Sequence, residues 1–397
     1  MPDDVTSPET SFKGFGPLTR RGFASLGLTA GLGGVMMPTP TFAAPEPPDD
    51  DRTVWLSGDG VHLSATAYAA LLQRLTASRS ITEDAYLLGG EVETFEREWA
   101  ALLGKEAAVF MPSGTLANHL ALRALAGDRR RVIVPEMSHI YNDTGDACQT
   151  LSALTLLPLA PGQATFTVED VQALLTRTAS GRVATSVGAI AIESPIRRLS
   201  GQLFDWAEAQ RITAFARDHG VGTHLDGARL FIASAYTGIA PRDYAAPFDT
   251  VYVSLWKYFN AGQGAILAGP KKTLDGMFHV RRMFGGNLAV GWPAAVIARH
   301  YMSGFGERLK AAVHVSEHVY RGLAGHPRVT VERIPNGTNL TRLTLRIDPG
   351  LVTRRLAETG IRMPAPAADG TVLLGVNETW ARRSESEMLQ AFTQALS

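Results

Sequence analysis

Residues 222–269 restrict the possible fold more than any other part of this chain. They contain HLDGARL, then VSLWKYFNAGQG. Two short apolar runs, 221–225 and 250–255, read as buried strands, with a helix expected between them. Each run hands over to a chemically loaded residue. The first delivers Asp226, followed by Gly227-Ala228-Arg229; the second delivers Lys257 and a glycine-rich turn into a third strand-like run, 265–268. In an open parallel sheet, ligands bind outside the carboxyl ends of the strands. Asp226 and Lys257 are therefore expected to face one crevice.

That pairing points to pyridoxal phosphate, which is held as a Schiff base to a lysine with an acidic partner on its pyridine nitrogen. The carboxylate keeps the nitrogen protonated, so the ring takes up charge from a carbanion at the substrate's alpha carbon. Burial beside Trp256, Tyr258 and Phe259 is expected to lower the pKa of Lys257. Taken singly, Asp226 reads as a helix cap near Gly227 and Lys257 as a surface lysine. Together, in this order and at strand ends, they favour the cofactor.

HLDGARL resembles the aspartate strand of the threonine aldolase family, a branch of the fold type I pyridoxal-phosphate enzymes. The resemblance runs from about Asp51 onward. It implies an α/β fold, with a mostly parallel, doubly wound sheet and a smaller C-terminal α+β domain. The strand–helix alternation from residue 107 to 268 agrees with such a sheet. The expected division is a large cofactor-binding domain over 51–295 and a small domain over 296–397, linked by one long helix at 293–324. Relatives of this type place each active site at a subunit interface, which implies a homodimer or homotetramer.

The second motif is Ser113-Gly114-Thr115, a turn into a helix. Backbone N–H groups and a hydroxyl at a helix N-terminus favour an anion, although an ordinary N-cap has the same composition. The family's SGT-x-A-N phosphate motif matches Ser113-Gly114-Thr115-Leu116-Ala117-Asn118. By the same resemblance, His139 stacks on the pyridine ring, with Asp143 or Asp146 as an unassigned acidic partner. Tyr86 belongs near a neighbouring subunit's site, and Ser57 or the adjacent Gly58 takes the position of a serine near the substrate carboxylate. Arg229 is suited to clamp that carboxylate bidentately, with pairing to a structural acid as the rival reading. Ser254 is a further candidate for the phosphate.

The chain also departs from the family. Ser194 stands where relatives carry an asparagine facing the ring hydroxyl. The bulkier Tyr258-Phe259 pair implies a differently shaped pocket floor. In the segment 281–287 a second arginine is missing, and those that remain read as solvated helix residues. No late carboxylate-binding arginine is evident.

Charge is balanced, with Lys+Arg and Asp+Glu both at 38, so nothing advertises nucleic acid or an anionic membrane. The single cysteine, Cys148, reads as a buried small residue, and no ligand spacing suggests a metal. Residues 1–50 have a different character. Arg20-Arg21 opens an apolar run over 24–37, followed by a Pro/Asp-rich spacer. A basic pair, a short apolar region and a small-residue exit resemble a twin-arginine export signal, with cleavage expected after Ala43. The run is too short for a stable membrane span. Export of a folded, periplasmic protein by the twin-arginine machinery suits an enzyme loaded with cofactor in the cytoplasm.

The expected activity is a pyridoxal-phosphate-dependent carbon–carbon lyase of threonine-aldolase type, acting on a β-hydroxy-α-amino acid. Beta-elimination, racemisation or transamination by the same cofactor is the alternative. A non-catalytic binding protein on this fold is the remote one.

Overall fold

A computed structural model describes residues 52–397; the expected export signal and its cleavage site lie outside the described residues. In chain order the strands are β1 (Val54–Trp55), β2 (Ala107–Met111), β3 (Arg131–Pro135), β4 (Thr155–Leu159), β5 (Val187–Glu193), β6 (Gly222–Asp226), β7 (Thr250–Ser254), β8 (Ala265–Gly269), β9 (Val329–Arg333), β10 (Leu340–Leu345), β11 (Ile361–Arg362) and β12 (Thr371–Gly375). Seven of them form the main sheet in the order β2-β8-β7-β6-β5-β3-β4. β8 runs antiparallel to both of its neighbours, while the pairs among β7, β6, β5, β3 and β4 are parallel. β5, β7 and β8 are buried along their whole length. That explains their unbroken apolar runs, since helices cover both faces of such a sheet.

β9, β10 and β12 make a smaller antiparallel sheet. Along β10 buried and half-buried residues alternate, so one face packs on a core and the other is partly open. β1 pairs in parallel with β11, and Val54 and Leu56 are buried with Val319, Leu343 and Trp380. The chain thus contributes to the C-terminal core twice, from its first described strand and again after residue 305.

Helix ends follow their local chemistry. Ser384 and Glu387 form the expected capping box, and Thr167 with Asp170 forms another. The long helix expected over 293–324 is instead two helices, Trp292–Met302 and Phe305–Leu323. Gly304 sits between them at φ 68°. That left-handed conformation is open to glycine and ends the hydrogen-bond ladder. Cys148 is buried and its thiol pKa is pushed up to about 12 by desolvation, which makes it unreactive. Among the described residues, no helix is long and apolar enough to cross a membrane.

Candidate active site

The parallel strands β5, β6 and β7 end on the same edge of the sheet. Their C-terminal residues, the helix N-terminus after β2 and the segment 55–63 enclose a cavity of about 680 Å³. Asp226 is the last residue of β6, and Lys257 follows β7 by three residues. Both line this cavity together with His139, Ser113, Gly114 and Thr115.

Asp226 is nearly fully buried, and its two oxygens have separate tasks. Oδ1 accepts the Ala228 N–H at 3.1 Å, and Oδ2 accepts from Asn118 Nδ2 at 2.5 Å. The first bond is the local cap, so the bland reading and the functional one describe the same side chain. Lys257 carries its Nζ 5.7 Å from the centroid of the half-exposed Trp256 ring. Burial, then the charge of Arg229, lowers the pKa of its ammonium. Tyr258 and Phe259 turn away from the cavity into a cluster with Phe231 and Phe305. The expected effect of this aromatic pair on the pocket floor is therefore corrected: Trp256 and Asn260 line the cavity instead.

His139 opens the short helix His139–Asn142, and burial lowers its pKa, outweighing the pull of Asp226. The imidazole is thus neutral near pH 7, and its buried Nδ1 has no hydrogen-bond partner. The His139 backbone N–H donates to Glu193 Oε2 at 2.6 Å, and Arg197 N–H donates to Glu193 Oε1 at 3.1 Å. Glu193 is the acid that holds this loop, whereas Asp143 pairs with Arg198 at 2.8 Å. Burial, then the charge of Asp226, pushes the Glu193 carboxyl pKa up to about 8.

At the other end, Ser113 Oγ accepts the Leu116 N–H at 3.3 Å and caps the helix Gly114–Ala126. A Cβ on Gly114 would lie 1.9 Å from the Tyr252 hydroxyl, so only glycine brings this backbone so close to the sheet. Ser254, the last residue of β7, is not among the cavity-lining residues, and its buried Oγ makes no hydrogen bond of good geometry.

The substrate-side candidates separate. Arg229 lines the cavity, but its Nε and Nη2 lie 2.9 and 2.8 Å from Asp59 Oδ2. Burial opposes its charge, yet Asp59 overcomes this and the pKa is raised. Ser57 also lines the cavity. Tyr86 does not: it is 50% exposed, with the Arg282 guanidinium 5.4 Å from its ring centroid. Ser194 Oγ accepts the Phe204 N–H at 3.2 Å rather than facing the cavity. Arg281 is not a solvated helix residue either, since it is 1% exposed and its Nη1 donates to the Phe110 carbonyl at 2.5 Å.

The cavity fits pyridoxal phosphate. A helix N-terminus stands ready for the phosphate, a buried carboxylate for the ring nitrogen, and an ammonium of lowered pKa for the aldehyde carbon. His139 lines the same cavity with a part-exposed, neutral ring whose Nδ1 is buried. Asp59, Asn118, Glu193 and Tyr252 were not singled out from sequence as site residues. Asn118 had a usable signal, because it completes the SGT-x-A-N run one turn after the phosphate residues.

Comparison with known proteins agrees with this geometry. The beta-eliminating lyase family matches residues 64–346. A low-specificity L-threonine aldolase of Candida albicans is 30% identical over 208 residues, 52% of this chain and 55% of that protein. Alanine racemase TOXG of Cochliobolus carbonum is 32% identical over 209 residues, 52% of each chain. These matches span about half the length of either relative. A solved structure from Listeria monocytogenes, provisionally named an L-allo-threonine aldolase, is 26% identical with a TM-score of 0.72; the match covers 87% of this chain and 96% of that one.

Proposed function

The chain belongs to the beta-eliminating lyase family, and from that premise we propose that it is a pyridoxal-phosphate-dependent lyase cleaving a β-hydroxy-α-amino acid to glycine and an aldehyde. The observation that carries this reading is the convergence of Lys257, Asp226 and the helix N-terminus at Ser113–Thr115 on one cavity. Ser113, Gly114 and Thr115 would hold the phosphate, with the buried Ser254 at the end of β7 as a further candidate. Asp226 would hold the ring nitrogen, His139 the face of the ring, and Lys257 the aldehyde end of the cofactor. When bound, the cofactor supplies an electron sink for the pair left on Cα as the Cα–Cβ bond breaks.

Arg229 and Ser57 orient the substrate carboxylate. The neutral His139 imidazole accepts the β-hydroxyl proton as the β carbon becomes the aldehyde. Lys257, whose pKa is lowered by burial and then by Arg229, returns one to Cα. Glu193 keeps the His139 loop in place through two backbone N–H groups.

Racemisation is the second reading, favoured by the similarity to an alanine racemase. Both reactions use the same cofactor residues, so products decide. With a panel of β-hydroxy-α-amino acids, the purified enzyme is expected to form glycine and the matching aldehyde in equal amounts. Inversion at Cα, or a keto acid, without carbon–carbon cleavage would overturn the lyase reading.

The proposal includes a homodimer or homotetramer. In support, Tyr86, Leu88 and Met283 are exposed large apolar residues, and the segments holding them meet through the Tyr86 N–H to Ala289 carbonyl bond. It also includes twin-arginine export to the periplasm with cleavage near Ala43, resting on Arg20-Arg21 and the run that follows. Replacing both arginines by lysine should leave active, uncleaved enzyme in the cytoplasm; unchanged export of the mature form would reject that route.

A further inference from the structure

We propose that Asn118, His224 and Thr250 form a positioning relay that holds Asp226 against the cofactor and aligns three dipoles on its carboxylate. The inference rests on the reading of Asp226 given above. His224 and Asp226 are two residues apart on β6, so their side chains share one face of the sheet. Thr250 is the partner of His224 across the β6–β7 ladder. Asn118 comes down from the helix Gly114–Ala126, which packs on β5, β6, β7 and β8.

Thr250 Oγ1 lies 2.8 Å from His224 Nδ1, and His224 Nε2 lies 2.8 Å from Asn118 Oδ1. Asn118 Nδ2 then reaches Asp226 Oδ2 at 2.5 Å. Asn118, His224 and Thr250 are each no more than 1% exposed.

The hydrogen-bond roles follow from the acceptor at the end. An ionised carboxylate only accepts, so Asn118 must present its NH₂ to Asp226 and its carbonyl to His224. His224 therefore carries its proton on Nε2, and Nδ1 accepts a hydrogen bond from the Thr250 hydroxyl. Burial presses the pKa of His224 down to about 4, which keeps the ring neutral and this order of donors intact. All three donors point toward Asp226, and aligned hydrogen bonds in a buried chain reinforce one another. Asn118, His224 and Thr250 are not among the residues that line the cavity holding Lys257. All three are positioning residues.

The test measures pyridoxal phosphate affinity of the apoenzyme by titration, alongside kcat/KM of the loaded enzyme. Thr250→Val keeps the shape and removes the first donor, and Thr250→Ser keeps the hydroxyl. Thr250→Val should weaken both quantities by about 3- to 10-fold, the range of one buried hydrogen bond. Thr250→Ser should stay within about 2-fold of the parent, as retention of the hydroxyl requires. Asn118→Ala removes a bond to a charged group and should cost about 10- to 100-fold. Adding Thr250→Val to Asn118→Ala should then change nothing further, because the relay acts through Asn118. An unchanged Thr250→Val, a Thr250→Ser as impaired as Thr250→Val, or full additivity in the double variant would each overturn the relay. The Thr250 pair keeps the test decisive if Asn118→Ala does not fold. Asp226→Ala is run beside them: normal cofactor affinity and turnover in that variant would instead reject the role given to Asp226.

Discussion

Lys257→Ala is expected to lower turnover by at least about 10⁴-fold, the scale on which loss of a covalent catalytic group is felt. The fold should survive, because Lys257 lies beyond the end of β7 and contributes no ladder bond. The apoenzyme should in fact become slightly more stable at neutral pH. Burial and Arg229 depress the folded-state pKa of Lys257, so the folded chain bears the cost of an unfavourable ammonium. The unfolded chain binds more protons between the folded pKa and the ordinary lysine value, and the parent gains stability as pH rises through that window. The advantage of the alanine variant is therefore present at neutral pH and shrinks toward the ordinary lysine value. Thermal unfolding of both apoproteins across that range checks the sign. Retained turnover in Lys257→Ala would remove the lysine from the chemistry.

Arg229→Ala should reduce kcat/KM by roughly 30- to 5,000-fold, from about 2–5 kcal/mol for a desolvated, charge-assisted pair. Asp59 takes the Nε–Nη2 edge of the guanidinium, leaving the Nη1–Nη2 edge for a carboxylate. Lysine at this position should restore little, since an ammonium cannot bind Asp59 and a second carboxylate with the same planar geometry. Arg229→Ala also strands Asp59, a mostly buried acid, at a stability cost of about 3 kcal/mol. The double variant Asp59→Asn/Arg229→Ala separates the effects: unfolding temperature should recover while kcat/KM stays low. Recovery of kcat/KM in the double variant would mean that Arg229 serves only to neutralise Asp59. Near-normal kcat/KM in Arg229→Ala would place the carboxylate elsewhere.

The parts of this protein legible in sequence were those set by local pattern. Strand ends at Asp226 and before Lys257, and the cap at Ser113, depend on runs of a few residues and were read within a residue or two. Features set by distant partners were not legible. The acid that meets Arg229 lies 170 positions away, and nothing near Arg229 announces it. His224 and Asn118 are joined across 106 positions, so their relay exists only once helix and strand pack. Tyr258 and Phe259 were expected on the pocket floor because they directly follow Lys257 and are bulkier than the residues of relatives. Their direction was decided by the apolar cluster waiting at Phe231 and Phe305. The expected helix over 293–324 is divided at Gly304, whose left-handed conformation the helical pattern on either side does not reveal.

Borohydride reduction of the native enzyme, followed by peptide mass mapping, tests the central claim most directly. Before reduction the protein should absorb near the visible–ultraviolet boundary; afterwards the pyridoxyl group should be found on the peptide that carries Lys257. A pyridoxyl group on Lys271 or Lys272, or a protein that retains none, would contradict the assignment of this cavity.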